Sequence, residues 1–426
     1  MFQTYVARST LHRFFATQAW AQNEQGNYVS AARYALAGMK LAPENAHLYW
    51  AALAGAMHEA GESSPPLMHD GAVVVAAFSP DGARIVTASR DNTAKVWDAR
   101  DGRLLATLSG HGDGVTSAAF SPDGTRIVTA HNNGTANVWD ARDGRLLAAL
   151  RGNGYYLGSA AFSPDGARIV TSGGKDTAHV WDARDGRLLA TLSGHGDYVE
   201  SAAFSPDGTL IVTASRDHTA KLWDARDGRL IATLRGHEDG LVGAAFSPDG
   251  ARIVTASADN TAKVWDARDR RLIATLSGHG GAVASAVFSP DGAHIVTASD
   301  DGTARVWDAL AGRFLATLSG DEGAEPREEM GVTSAAFSID GALIVTASAD
   351  NTAKVWDARP NIPNRRRLIA TLSGHGDAVT SAAFSPDRTV IVTASRDHTA
   401  KLWDARDGRL IATLSGLRCH KRRFRA

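Results

Sequence analysis

From Val73 onward the chain alternates short apolar runs with clusters of turn residues. In the first unit the runs are VVVAAFS, ARIVTAS, TAKVWD and RLLATLS. Each has strand length, is rich in Val, Ile, Leu, Thr, Phe or Trp, and is bounded by residues that favour reversals. Ser79-Pro80-Asp81-Gly82 turns the chain by a definite mechanism: proline presets φ, aspartate bonds back to the backbone and glycine accepts positive φ. Asp91-Asn92 closes the next hairpin and Asp101-Gly102 the third. The pattern predicts four antiparallel strands in a sheet of about forty residues, too small to bury its own faces, so neighbours must stack on it.

The unit returns seven more times. Its landmark is a Trp-Asp pair, at Trp97-Asp98, Trp139-Asp140, Trp181-Asp182, Trp223-Asp224, Trp265-Asp266, Trp307-Asp308, Trp356-Asp357 and Trp403-Asp404. The first six pairs are 42 residues apart and the last two intervals are 49 and 47. Consecutive hairpins with no helix between them allow a propeller, a sandwich or a barrel. The fixed period favours the propeller, because every unit must sit in an equivalent place. With Gly-His opening most units and Trp-Asp ending the third strand, residues 69–416 resemble a WD-repeat β-propeller. The expected fold is all-β: an eight-bladed β-propeller of four-stranded antiparallel blades, preceded by a small α-helical N-terminal segment. No strand is left over, so closure should rest on packing between blades one and eight.

The resemblance implies a hydrogen-bonded tetrad in each blade, joining the His of Gly-His, a hydroxyl of the second strand, the Asp of the second hairpin and the Trp indole. In blade one these are His69, Thr87, Asp91 and Trp97, with Ser89 the alternative hydroxyl. Complete sets recur as His195, Thr213, Asp217 and Trp223; His237, Thr255, Asp259 and Trp265; His279, Thr297, Asp301 and Trp307; and His375, Thr393, Asp397 and Trp403. A buried indole N–H and a buried imidazole both need partners. Each such bond adds about 1 kcal/mol net, whereas burying a Trp contributes roughly 4–6 kcal/mol as an upper bound. Blades two, three and seven depart from the pattern. Blade two keeps His111 but has Asn133 at the Asp position. Blade three has Asn153 and Lys175 in place of His and Asp, and blade seven has Glu328 near the His position and keeps Asp350.

Outside the repeats, residues 1–60 are Ala-rich and helical in period. They resemble one tetratricopeptide repeat through Ala19, Gly26, Tyr28, Ala31 and Pro43. Residues 61–68 read as a linker and 417–426 as a basic tail. Asp321–Met330 lengthens the loop entering blade seven, and Pro360–Arg367 lengthens that blade's third hairpin. Arg270 and Arg388 stand where glycine is usual, which predicts local backbone strain.

With 44% apolar and 21% charged residues and a net charge of −1, the chain has no global field drawing it to nucleic acid or membrane. The single Cys419 rules out a disulfide framework within the chain, in keeping with a cytoplasmic location. The remaining histidines form no metal-ligand spacing, Gly173-Gly174-Lys175 lacks the spacing of a phosphate loop, and no nucleophile elbow occurs. Hence no enzyme activity, cofactor, metal or small-molecule substrate is expected. Asn133-Gly134-Thr135 matches a glycosylation acceptor and reads as a turn.

The family commonly holds peptide partners on the face with the His loops and second hairpins. There the least repetitive residues are Tyr155, Tyr156, Tyr198, Glu200 and Arg216, with Arg90 and Arg396 at the same hairpin place as Arg216. Tyr and Arg are the anchor types of interface centres. The expected function is a monomeric, non-catalytic scaffold for protein or peptide partners. The alternative is the sensor module of a bacterial signalling or defence system, because nearly identical blades resemble bacterial repeat propellers partnered with ATPases, kinases or caspase-like proteases.

Overall fold

The computed structural model describes residues 69–152, 156–174, 176–319, 331–359, 364–365 and 367–414. The helical segment 1–60, the linker 61–68, the tail 417–426, the loop 321–330 and Asn153, Tyr155 and Lys175 lie outside them. The chain divides between Leu67 and Met68, and every described residue belongs to the second unit.

Blade one consists of β1 (Val73–Phe78), β2 (Arg84–Ser89), β3 (Ala94–Asp98) and β4 (Leu104–Leu108), hydrogen-bonded in that order and antiparallel throughout. Seven further sheets repeat this order. The first hairpin turns as its sequence demands. Gly82 N–H donates to Ser79 O at 2.8 Å, Ala83 N–H to Asp81 Oδ1 at 3.0 Å, and Gly82 adopts φ +70°. The Asp of Trp-Asp caps the third hairpin, accepting Arg100 N–H on Asp98 Oδ1 at 2.9 Å. Its abundance is therefore structural.

The core lies between blades. Val86, Ala88, Ala94, Val96 and Leu108 of blade one pack on Val115, Ala118, Ile127, Trp139 and Ala141 of blade two. Six equivalent clusters follow around the chain. The eighth joins Val392, Ala394, Ala400, Leu402 and Leu414 of the last blade to Val73, Ala76, Ile85 and Trp97 of the first. An open row of eight blades has seven seams; eight clusters make a closed ring. Each Trp-Asp tryptophan fills one seam and is at most 4% exposed.

The closing seam reuses the contacts of the others. A Cβ on Gly102 would meet Leu414 Cδ2 at 3.1 Å, just as one on Gly144 would meet Leu108 Cδ2 at 3.1 Å. Thr380 Oγ1 donates to Val73 O at 2.8 Å, as Thr333 Oγ1 donates to Val379 O at 2.8 Å one seam earlier. Arginines at the start of some second strands add a clasp. Arg84 donates to Ala141 O at 2.7 Å and to Gly124 O at 2.9 Å, and Arg126 donates to Ala183 O at 2.8 Å, each reaching into the next blade. Val390 holds that position at the closing seam, so no clasp forms there.

One sheet departs from four strands. The insertion in blade seven places Asn364–Arg365 parallel to Ala316–Thr317, on the outer edge of blade six. That edge offers a row of unpaired N–H and C=O groups, and the added residues are long enough to reach it. The two arginines at glycine positions sit in the left-handed region, Arg270 at φ +63° and Arg388 at +64°. Arg388 also forms an ion pair with Asp340 of blade seven.

Candidate functional site

The tetrad residues meet in blades one, four, five, six and eight. His Nδ1 lies 2.7–2.8 Å from Asp Oδ2, His Nε2 lies 2.7–2.8 Å from Thr Oγ1, and Trp Nε1 lies 2.8–2.9 Å from the same Thr Oγ1. The proton order follows from donor counting. The indole N–H donates to the Thr oxygen and the Thr O–H donates to His Nε2. The remaining imidazole proton, on Nδ1, then donates to the carboxylate. Ser89 lies outside this chain of bonds and ties Gly71 O instead, at 2.9 Å.

The charges follow the same logic. Burial opposes ionisation of Asp217, but Thr219, the Gly196 N–H and His195 outweigh it and hold the carboxyl at about 2. Asp259 is likewise held at about 2 by Thr261, Glu238 N–H and His237 against burial. Burial pushes His69, His195 and His237 below the usual imidazole value, with their Asp partners opposing it. These are neutral, oriented imidazoles with a structural task.

Blade two solves the same problem differently, with a residue that the repeat pattern did not single out. Trp139 Nε1 donates to Thr129 Oγ1 at 2.9 Å, but the imidazole on that hydroxyl belongs to His131, at 2.9 Å, in the column where six other blades carry Ser and blade three carries Gly173. His131 Nδ1 is 2.9 Å from Thr135 Oγ1, which donates to Asn133 Oδ1 at 2.7 Å. His111 is displaced: its Nδ1 donates to Asn92 O of blade one at 3.0 Å, and its Nε2 is buried with no partner among the described residues. Asn133 is engaged within this network, with Nδ2 donating to His111 O at 2.9 Å. The signal was legible only by setting Thr129-Ala130-His131 beside Thr87-Ala88-Ser89.

In blade seven Lys354 Nζ reaches Asp350 Oδ2 at 2.9 Å, taking the place an imidazole holds elsewhere. In blade three Trp181 Nε1 still reaches Thr171 Oγ1 at 2.9 Å, while His179 Nδ1 and Thr177 Oγ1 are buried with no hydrogen-bond partner among the described residues. No group of three or more His, Cys, Asp or Glu among the described residues could hold a metal ion.

The variable loops form a second cluster. Arg216 Nε donates to Glu200 Oε1 at 2.5 Å, and its guanidinium carbon lies 5.6 Å from the centre of the Tyr198 ring. Tyr156 holds the equivalent place one blade earlier: Gly174 N–H donates to Tyr156 O at 3.0 Å as Arg216 N–H donates to Tyr198 O at 2.9 Å. Tyr156 is 40% exposed, and burial and Glu200 raise its phenol above the ordinary value while Arg216 and Arg90 oppose. These four groups, from blades one, three and four, thus share one electrostatic neighbourhood. Arg396 repeats the backbone bond of Arg90 and Arg216, donating to Ala378 O at 2.9 Å. Arg90 and Arg396 are exposed and form no ion pair among the described residues.

Comparison with known proteins agrees with this geometry. The family described as "WD domain, G-beta repeat" matches at residues 67–98, 102–140, 144–182, 186–224, 228–266, 270–308, 312–357 and 366–404. Short stretches are similar to curated proteins: 59% identical over 32 residues to Ribosome assembly protein 4 of Saccharomyces cerevisiae, and 44% over 43 residues to WD repeat-containing protein 86 of Homo sapiens. They span 8% and 10% of this chain and only 6% and 11% of those relatives. The crystal structure of the computationally designed Ika8 protein is similar over 79% of this chain and 97% of that one, with a TM-score of 0.69 and 30% identity. With eight matched repeats in eight blades, the chain belongs to the WD-repeat family.

Proposed function

We propose that the chain is a non-catalytic scaffold, working as a monomeric propeller in the cytoplasm, that holds a protein or peptide partner on the face of the histidine loops and second hairpins. Propellers of this family commonly mediate protein interactions and are generally non-catalytic. The carrying observation is Arg216, fixed by Glu200 and Tyr198 beside a part-exposed Tyr156. A pre-oriented guanidinium and two aromatic rings lose little freedom on binding, which is what an interface centre requires. The exposed guanidinium groups of Arg90 and Arg396 suit a partner that presents carboxylates there.

The test begins with pull-down from the native host and mass spectrometry to identify a partner, followed by its affinity for a Tyr156→Ala/Tyr198→Ala double variant. A loss of about tenfold or more is expected; unchanged affinity overturns the site. The near-identity of the blades favours a second reading, a regulatory module whose ATPase, kinase or caspase-like effector is a separate chain. Co-purification of such an enzyme would select it.

A further inference from the structure

Blade two lacks both the hairpin carboxylate and the third-strand cation that accompany the complete tetrads. Asn133 stands where Asp91 and its equivalents accept the imidazole proton. Asn137 stands at the place of Lys221, Lys263 and Lys401, whose ammonium groups reach fourth-strand threonines at 3.2–3.3 Å. Into this neutral site the sequence puts two imidazoles, His111 and His131, with ring centres 4.5 Å apart and 3% and 0% exposed. The bonds that hold them run from Trp139 through Thr129, His131, Thr135 and Asn133 to His111 O without an ion in the chain.

Of the neighbouring charges, Asp91 favours a proton on His111, but burial outweighs it. Asp91 of blade one is bonded by His69, Thr93 and the Asp70 N–H. Lys95 on β3 is drawn to Asp91 and Asp70. Arg90 lies against Gly114, where a Cβ would meet its Cα at 3.4 Å, and Asp113 accepts its own loop's Gly114 N–H at 2.6 Å. Among the described residues no carboxylate is bonded to either imidazole.

We infer that this histidine pair makes the seam between blades one and two an acid-sensitive joint: as both rings take up protons, the bond from His111 to Asn92 and the loop bearing Arg90 come loose while the other seams hold. Two cations 4.5 Å apart in a buried site repel, and the proton added at His111 Nε2 meets no acceptor. In the five blades with complete tetrads an imidazolium would face a carboxylate. Burial agrees with this: it pushes His111 below the usual value against the Asn92 carbonyl and Asp91, and with His111 opposing a second charge it pushes His131 to about 3. The sign is that of a group kept neutral in the fold. Its stabilisation is complete above about pH 6.5 and is lost as pH falls.

Hydrogen exchange on the full chain between pH 7 and pH 5, corrected for the intrinsic rate, tests the joint. This range stays above the pH at which Asp217 and Asp259, held at about 2, would take up protons. Below about pH 6.5 the opening equilibrium of amides in 126–140 should rise, relative to those in 252–266 of blade five, by about tenfold per pH unit, because opening blade two frees two neutral imidazoles and opening blade five frees one, His237. A His131→Ser/Asn133→Asp variant, which restores the residues that blade one carries as Ser89 and Asp91, should abolish the excess. Parallel loss of protection in blades two and five, or persistence of the excess in the restored variant, overturns the inference.

Discussion

Two seams of the ring, the first and the last, differ in whether an arginine spans them. Between blades one and two Arg84 spans the gap with two charge-assisted bonds to backbone carbonyls, and it lies 5.8 Å from the centre of the Phe120 ring. Between blades eight and one Val390 stands at that position, and the seam is held by its apolar cluster and the bond from Thr380 to Val73 O. Both close the same way in the core. The clasp is thus an addition to a joint whose strength resides in the buried tryptophan, and the ring needs no strand shared between its ends.

The comparison can be broken at the tryptophan. Trp97→Ala should cost about 3–5 kcal/mol in denaturant unfolding and expose blade one and blade eight amides to exchange before those of blade five. Equal protection around the ring would show that the closing seam is not where the loss is felt. Thr87→Val keeps the shape and removes the oxygen shared by Trp97 and His69, leaving two buried groups unpaired, at a cost of about 2–3 kcal/mol by the same measurement. Arg84→Leu removes the clasp from the first seam and should lose about 1.5–3 kcal/mol. The reverse change, Val390→Arg, should gain about 1 kcal/mol at most; no response to either would mean the clasps are idle. Smallest is Arg270→Gly, which relieves a left-handed residue but frees the unfolded chain, for a net gain of about 0.5–1 kcal/mol.

Most of the ring was readable in the sequence because its determinants are local. Alternating apolar runs, a Ser-Pro-Asp-Gly reversal and a tryptophan at fixed offset specify a blade whatever lies beside it. The tetrad was readable for the same reason, since His69, Thr87, Asp91 and Trp97 keep constant spacing in five blades. What escaped depends on relations between blades or on competition for a shared space. His131 displaces His111 because both rings can reach Thr129, and spacing alone does not say which will win. Lys354 reaches Asp350 along one strand, a contact hidden in a column that reads as an ordinary lysine. The strand Asn364–Arg365 is a backbone pairing across two blades and leaves no side-chain signature. The influence of Arg90 on Tyr156 links blades one and three, which no spacing within a repeat reveals.

Because Leu414 meets Gly102 as Leu108 meets Gly144, the wheel has no privileged beginning. A gene opened at the loop between any two blades, with the old ends joined by a short linker from Leu414 to His69, would encode the same set of contacts in another order. Whole blades are in that sense exchangeable parts.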